Sequence, residues 1–218
     1  MALPPQAFRP GPIVPIRSLA PGHRERIAVH LLALDEHDRY LRFGYAATDE
    51  QVRRYVVQLD FDRDEIFGIF NRRLELIAMA HLAFMHEPGA PAGAEFGVSV
   101  ASRARGRGYG ARLFDRAVMH ARNEGVELMF IHALSENTAM IRIARNAGAS
   151  LERAGSETDA YLRLPPATLD SRVSELVESQ LAETDYRLKK QAHNFLQFLA
   201  GVQEIRRGVV DARGKSGR

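Results

Sequence analysis

A glycine-rich stretch, Arg105-Gly106-Arg107-Gly108-Tyr109-Gly110, stands between an apolar strand-like run and an amphipathic helix pattern. Because glycine has no Cβ and adopts positive φ, a turn of this kind lets several backbone N–H groups point into one concave space. The start of the following helix adds about half a positive charge there. Arg103, Arg105, Arg107 and Arg112 contribute further positive charge. The stretch therefore predicts a loop that binds a polyanion, with a pyrophosphate as the favoured ligand.

The loop alone is a weak signal, since it lacks the Lys-Ser/Thr pair of a P-loop. Its G-x-G-x-G spacing also differs from the G-x-G-x-x-G of dinucleotide-binding folds. A plain tight turn with surface arginines stays open as an alternative, and so does an Arg-Gly box that binds nucleic acid. Such boxes usually occur in low-complexity tracts, whereas this one joins a strand to a helix, so we do not expect a nucleic-acid partner.

Composition narrows the class of protein. The chain has 218 residues, of which 45% are hydrophobic, and this fits one domain of ordinary size with an extension. There is no cysteine, and the eight histidines show no metal-ligand spacing, so we expect no disulfide, no thiolate nucleophile and no metal. The longest apolar run, near 77–84, is too short to span a bilayer, and the N-terminus lacks a signal-peptide pattern. We expect a cytoplasmic protein with no membrane partner.

Periodicity and turn residues predict the order of the elements. One short strand is followed by two helices, then three strands, the glycine loop with its helix, a strand, a helix and two closing strands. The second helix begins at a capping box formed by Thr48 and Gln51, whereas the acidic segment Asp35–Asp38 is interpreted as a break. The predicted strands cover 13–18, 65–70, 74–84, 95–100, 128–134, 149–153 and 160–164. This order predicts an α/β (α+β) fold with a mixed central sheet of about seven strands flanked by helices.

The chain divides into four predicted segments. Residues 1–12 form an irregular proline-rich arm, and residues 13–165 form the main domain. Pro165-Pro166 marks a boundary, after which residues 166–208 carry a helical pattern of leucines and other apolar residues at alternating spacings of three and four. So long a helix must bend back or pair with a second copy as a coiled coil, so we expect either a homodimer or a cover over a groove of the main domain. Residues 209–218 form a flexible basic tail.

The chain resembles the GNAT superfamily of acyl-CoA N-acyltransferases. The acyl-CoA loop of that family reads R/Q-x-x-G-x-G/A, which Arg105–Gly110 matches, and the valine five positions earlier is Val100. Ser135–Gly148 is similar to the second acyl-CoA motif of the family and contains its helix-opening asparagine, Asn137. Tyr40–Phe43 is similar to a segment of the GNAT domains of bacterial protein-lysine acetyltransferases. The resemblance covers about residues 13–164 and implies the GNAT fold.

The resemblance also implies how acetyl-CoA binds. The backbone of Val98 and Val100 would bind pantetheine and the acyl carbonyl at a gap where two strands part. The backbone N–H groups of Arg105, Gly106, Arg107, Gly108, Tyr109 and Gly110 would hold the pyrophosphate. Asn137 would bind the cofactor arm near the next strand.

Two residues are candidates for the chemistry. By the resemblance, Glu95 on the strand before the loop would be the general base, although it also fits a solvated carboxylate at a strand end. His132, on the strand that faces the cofactor gap, would shuttle a proton, although a histidine in an apolar strand is also typical of a hydrogen-bonded core residue. The tyrosine that protonates the leaving thiolate in many members of the family is Ala144 here.

The sequence therefore predicts an N-acetyltransferase that moves an acetyl group from acetyl-CoA to a primary amine. The amine would belong to a protein lysine, a peptide or a small molecule. Because Ala144 replaces the tyrosine, a non-catalytic acyl-CoA sensor or adaptor with the same fold stays open as the alternative.

Overall fold

A seven-stranded mixed sheet organises the chain in the computed structural model, which describes residues 14–85, 92–169 and 171–191. The strands are β1 Arg17–Ser18, β2 Glu65–Phe70, β3 Leu76–Met85, β4 Gly93–Val100, β5 Leu128–Leu134, β6 Ser150–Ala154 and β7 Glu157–Arg163. The helices are α1 Arg24–Leu32, α2 Glu36–Phe43, α3 Asp49–Gln58, α4 Tyr109–Asn123, α5 Thr138–Asn146 and α6, which covers residues 171–191. The predicted fold class, a mixed sheet of about seven strands flanked by helices, is confirmed.

The strand order is β1-β2-β3-β4-β5-β7-β6, and every neighbouring pair is antiparallel except β4 with β5. β4 pairs with β3 from Gly93 to Val100, but it pairs with β5 only from Gly93 to Glu95. Beyond Glu95 the two strands part. The side of β4 that faces β5 is therefore left without a strand partner at Val98 and Val100.

Each face of the sheet carries its own hydrophobic core. Side chains alternate along a strand, so the apolar residues of β2 and β3 pack on both sides. α4 and α5 cover one face, where the fully buried side chains include Phe67, Phe96 and Phe114. α1 and α3 cover the other face, where they form a second core with Ile66 of β2 and Met79 of β3. With both faces covered, the opening between β4 and β5 lies between two helical layers.

The structure has three helices before β2, whereas the sequence predicts two. The additional helix is α2, which begins where Asp35–Asp38 is predicted to be a break. The Asp35 carboxylate accepts a hydrogen bond from the Asp38 backbone N–H at 2.8 Å and caps the helix, and Gly44 ends it at φ 79°. Tyr40–Phe43 therefore lies on a helix. The sequence of α2, EHDRYLRF, is short, and Tyr40, Leu41 and Phe43 are its only apolar residues, so it offers little periodicity over which to recognise a helix. Smaller corrections are that β1 is shorter than 13–18, and that β4 and β7 begin earlier, at Gly93 and Glu157.

α6 packs back on the domain through polar side chains. Arg116 of α4 is 4% exposed and donates a hydrogen bond to the Ser179 hydroxyl at 2.8 Å. His120 bonds the Glu175 carboxylate at 2.6 Å. Burial alone would lower the pKa of His120, but this hydrogen bond and nearby carboxylates raise it above its ordinary value. Charge and hydrogen bonding thus hold the part of the helix that packs on α4, while farther along Ala182 is buried and the Tyr186 ring packs on Phe70.

Other segments named from the sequence lie outside the described residues. These are the arm at 1–12, the part of the helical extension at 192–208 and the tail at 209–218. Their boundaries, and the division at Pro165-Pro166, stay predictions. Within residues 14–85, 92–169 and 171–191, no helix has the length and hydrophobicity required to cross a bilayer.

His30 links α1 to the sheet through hydrogen bonds to β3 and β4. The Nδ1 atom lies 3.1 Å from the Leu76 carbonyl and Nε2 lies 2.9 Å from the Ser99 hydroxyl, while the residue is 3% exposed. Burial lowers the pKa of His30 to about 4. The ring is therefore neutral near pH 7, so Nδ1–H donates to Leu76 and Nε2 accepts from Ser99.

We expect His30 to make the fold sensitive to acid. Between pH 6.5 and about 4 the unfolded histidine binds a proton that the folded one does not, so the free energy of unfolding falls as pH decreases. The total loss from this residue is about 3 kcal/mol. Urea unfolding of His30→Gln over this pH range should show a smaller pH dependence than the wild type. His37→Gln, at an exposed position, should keep the wild-type dependence. An unchanged slope in His30→Gln would contradict this account.

Candidate functional site

Two crevices open where β4 and β5 part. The loop crevice has a volume of about 500 Å³, and the strand crevice has a volume of about 330 Å³. Leu41 and Arg42 of α2 line both, so the crevices meet at this helix. The loop crevice is lined by β4, the glycine loop, α2, α4 and α5, including Asp38, Val98, Ser99, Val100, Gly106, Gly108, Tyr109, Gly110, Asn137 and Ile143. The strand crevice is lined by α2, β4, β5 and β7, including Glu95, Gly97, His132, Glu157 and Asp159.

The glycine loop presents a row of backbone donors. Gly106 and Gly108 both have φ 74°, a left-handed conformation that favours glycine. Gly108 is the N-cap of α4, and the first backbone bond into the helix runs from Arg112 N–H to the Gly108 carbonyl. The N–H groups from Gly106 to residue 111 have no hydrogen-bond partner among the described residues. The loop can therefore donate several hydrogen bonds to one anion, as the sequence predicts.

Two of the four loop arginines are already paired. Arg105 forms an ion pair with Asp38 of α2, whose side chain also accepts from Ser102. Arg103 pairs with Glu75 at 2.9 Å. Arg107 and Arg112 make no ion pair within the described part of the chain. The free positive charge near the loop is thus smaller than the count of arginines suggests, and Asp38 fixes the loop to α2.

Asn137 lies at the start of α5, on the wall of the loop crevice. Its Oδ1 accepts from the Met140 backbone N–H at 3.1 Å and caps the helix. Its Nδ2 makes no hydrogen bond to a described residue. Val98 and Val100 are half-buried on the opposite wall, on the unpaired stretch of β4. The structure thus brings together all nine residues that the sequence assigns to the cofactor, either in the loop itself or on these walls.

Glu95 and His132 both line the strand crevice, and neither lines the loop crevice. Glu95 is exposed and is the last residue of β4 that pairs with β5. The His132 Nδ1 lies 2.6 Å from Asp159 Oδ1, its opposite residue on β7. Because the side chain of His132 is 57% exposed, its interpretation as a core histidine is wrong. The contact with Asp159 holds one ring nitrogen and leaves the rest of the side chain open to solvent.

Ala144 is buried in the core, and α5 contains no tyrosine. Among the other tyrosines, Tyr109 lines the loop crevice. Tyr161 packs edge-on against Phe130 and lines neither crevice. The described residues contain no group of three or more His, Asp and Glu side chains arranged as a metal site.

Sequence reasoning missed the contribution of α2. Asp38, Leu41 and Arg42 all line the site, and their helix was not predicted. The Asp35 N-cap and Gly44, nine residues apart, are the signals that could have revealed it.

Residues 30–149 match the model of the acetyltransferase (GNAT) family, and this range is more than half of the chain. The chain therefore belongs to that family, and it is an acyltransferase, as the resemblance implied. Proteins of the family take the acyl group from an acyl-CoA. Among curated proteins, none matches this sequence significantly.

Solved structures have the same fold at low sequence identity. The GNAT domain of S. lividans PAT is 21% identical with a TM-score of 0.58, over 68% of this chain and 89% of that one. The ribosomal-protein-alanine N-acetyltransferase of Brucella melitensis is 16% identical with a TM-score of 0.52, over 68% and 99%. A cAMP-binding acyltransferase of Mycobacterium smegmatis is 21% identical with a TM-score of 0.50, over 77% of this chain and half of that one.

Alanine at Gly106 or Gly108 should weaken coenzyme A binding about tenfold, because the loop would lose the left-handed conformation that aims its N–H groups. The same strain should lower the free energy of unfolding by about 1 to 2 kcal/mol. Gly155→Ala is a matched control, since Gly155 has φ 64° but lies in the turn before β7. It should lose stability without losing coenzyme A affinity by calorimetry. Equal affinity in all three variants would contradict the assigned role of the loop.

Proposed function

We propose that this protein transfers an acetyl group from acetyl-CoA to a primary amine, on a protein lysine, a peptide or a small molecule. The observation that carries the proposal is the separation of β4 from β5. Two crevices open there, and they meet at Leu41 and Arg42. One crevice suits a long phosphorylated donor and the other suits an acceptor. A cytoplasmic location belongs to the same proposal.

The residues of the loop crevice fit acetyl-CoA. The unpartnered N–H groups from Gly106 to residue 111 would hold the pyrophosphate, and the backbone of Val98 and Val100 would hold the pantetheine arm. Asn137 would donate to that arm through Nδ2. When bound, acetyl-CoA supplies an already activated thioester carbonyl. The protein then has to position the amine and manage its proton.

Glu95 accepts that proton in our proposal. A protonated amine has no lone pair with which to attack, and the carboxylate of Glu95 stands at the gap, in the strand crevice where the acceptor would lie. His132, held by Asp159, is a second proton carrier on the same side. Because α5 has no tyrosine and Ala144 is buried, we assign protonation of the leaving thiolate to water.

Glu95→Gln should lower the rate of thiol release from acetyl-CoA about a hundredfold to ten thousandfold, because the amide cannot accept the proton of the amine. Coenzyme A affinity should stay unchanged, since Glu95 does not line the loop crevice. The measurement is thiol release with a panel of amines, together with calorimetry. Glu50→Gln, at an exposed position on α3, is the control and should keep full activity. Tight acetyl-CoA binding by the wild type without turnover on any amine would instead favour the sensor alternative.

We also propose a homodimer through α6. The inner face of this helix packs on the domain through Glu175, Ser179, Ala182 and Tyr186, whereas its outer face exposes Val173, Leu176, Val177, Leu181 and Leu188 by 48% to 63%. The same apolar spacing continues along the sequence at Ala192, Phe195, Leu199 and Val202. A second copy presents the same stripe, so the two stripes can cover each other as a coiled coil.

The double variant Leu176→Ser, Leu181→Ser should sediment as a monomer at micromolar concentration where the wild type sediments as a dimer. Removing two exposed leucines from a helical seam takes away the apolar area that would hold the copies together. Val29→Ser on α1, which is 59% exposed, is the control and should stay dimeric. A monomeric wild type would refute the dimer.

A further inference from the structure

We propose that Arg42 binds a carboxylate carried by one of the two substrates, either at the end of the acyl group or on the acceptor amine. This inference rests on the proposed function, because it assigns the two crevices to a donor and an acceptor. It identifies Arg42 as a residue that sets substrate specificity.

Arg42 stands where both substrates would meet. It is half-buried, it lines both crevices, and its guanidinium lies against Gly97 of β4. A Cβ atom built on Gly97 would lie 2.9 Å from Cζ and from one guanidinium nitrogen of Arg42. Gly97 is the second residue after Glu95, on the stretch of β4 that has left β5. Because Gly97 has no side chain, the guanidinium of Arg42 has room to lie against β4.

Arg42 has no anionic partner among residues 14–85, 92–169 and 171–191. Its one hydrogen bond in that part of the chain goes to the Tyr55 hydroxyl at 2.7 Å, and its Nε is buried with no partner. Two other enclosed arginines differ. Arg39, on the same helix, pairs with Asp49 at 2.6 Å, and Arg116 pairs with Glu175 at 3.4 Å. Arg42 is therefore a half-buried cation that lacks the carboxylate partner that Arg39 and Arg116 have.

A chain of hydrogen bonds holds Arg42 in this position. The Tyr55 hydroxyl lies 2.8 Å from His81 Nδ1, and His81 Nε2 lies 2.8 Å from Asp64 Oδ2. Burial raises the pKa of Tyr55 and lowers that of His81, so the hydroxyl keeps its proton and the ring is neutral. Tyr55 thus accepts from Arg42 and donates to His81, and His81 donates to Asp64. Tyr55 is a positioning residue, and it leaves the other guanidinium N–H groups for a ligand.

A carboxylate would satisfy both the charge and the geometry of Arg42. The planar guanidinium donates two parallel hydrogen bonds to a carboxylate, and these are stronger than bonds to neutral groups. The carboxylate has two sources. An acyl group derived from a dicarboxylic acid would bring it from the loop crevice, and an amino acid acceptor would bring it from the strand crevice.

The test compares matched ligands with and without a carboxylate. In the acyl arm, calorimetry measures the binding of succinyl-CoA and acetyl-CoA. In the acceptor arm, it measures the binding of lysine and of cadaverine, its decarboxylated counterpart, to the enzyme loaded with coenzyme A. Both arms measure binding, so they test the role of Arg42 even if the protein acetylates none of the amines. Thiol release by the wild type separately tests the proposed function.

Three variants separate charge from position. Arg42→Gln removes the cation, whereas Gly97→Ala keeps it and displaces it, because the new Cβ would meet only the flexible end of Arg42. Arg53→Gln removes an exposed arginine on α3 and is the control. In one arm, the wild type should prefer the carboxylated ligand. Arg42→Gln should reduce that preference about tenfold to a hundredfold, which corresponds to one charged hydrogen-bonded pair.

Gly97→Ala should reduce the preference in the same arm, and Tyr55→Phe should reduce it by a smaller factor. Arg53→Gln should leave it unchanged. Loss of preference in the acyl arm assigns the carboxylate to the donor, and loss in the acceptor arm assigns it to the amine. The proposal is overturned if the wild type shows no preference in either arm. It is equally overturned if Arg42→Gln weakens both members of a pair alike, because the loss would then not depend on the carboxylate.

Discussion

β4 is hydrogen-bonded to β3 along its whole length but loses β5 after three residue pairs. Backbone N–H and C=O groups withdrawn from water need partners, so the free edge of β4 must be covered by solvent or by a ligand. The rest of the site depends on this gap. The glycine loop lies at one end of it, Glu95 stands at the other, and helices pack on both faces of the sheet beside it.

α2 connects the two halves of the site. Asp38 and Arg42 lie one turn apart on this helix, and they have different roles. Asp38 pairs with Arg105 and fixes the anion-binding loop, whereas Arg42 reaches the point where the crevices meet. A displacement of α2 would therefore disturb the donor loop and the acceptor side together. The Asp35 cap and the chain from Tyr55 through His81 to Asp64 hold the helix and its arginine in place.

α6 carries apolar residues on both of its sides. Its inner face is attached by Glu175, Ser179 and their partners on α4, and farther along by the buried Ala182 and by Tyr186, whose ring packs on Phe70. Its outer face exposes leucines and valines, which a helix that needed only to stabilise the domain would not require. This exposed apolar stripe is the surface on which the proposed homodimer rests, and the contacts of the inner face fix its orientation.

The sequence alone determined the fold class, the bounds of β2 and β5, and the position of the glycine loop between a strand and a helix. These features are local, because they depend on periodicity, on turn chemistry and on backbone freedom at single residues. For α2 the signals in the sequence are limited to the two ends of the helix, Asp35 and Gly44, because the eight residues between them are too few for a clear apolar periodicity. Only the tertiary structure decided that Glu95 and His132 share a crevice separate from the loop, that two loop arginines are neutralised, and that Arg42 lacks a carboxylate. Each of these depends on which residues distant in the chain come within a few ångströms, and no local pattern encodes that distance.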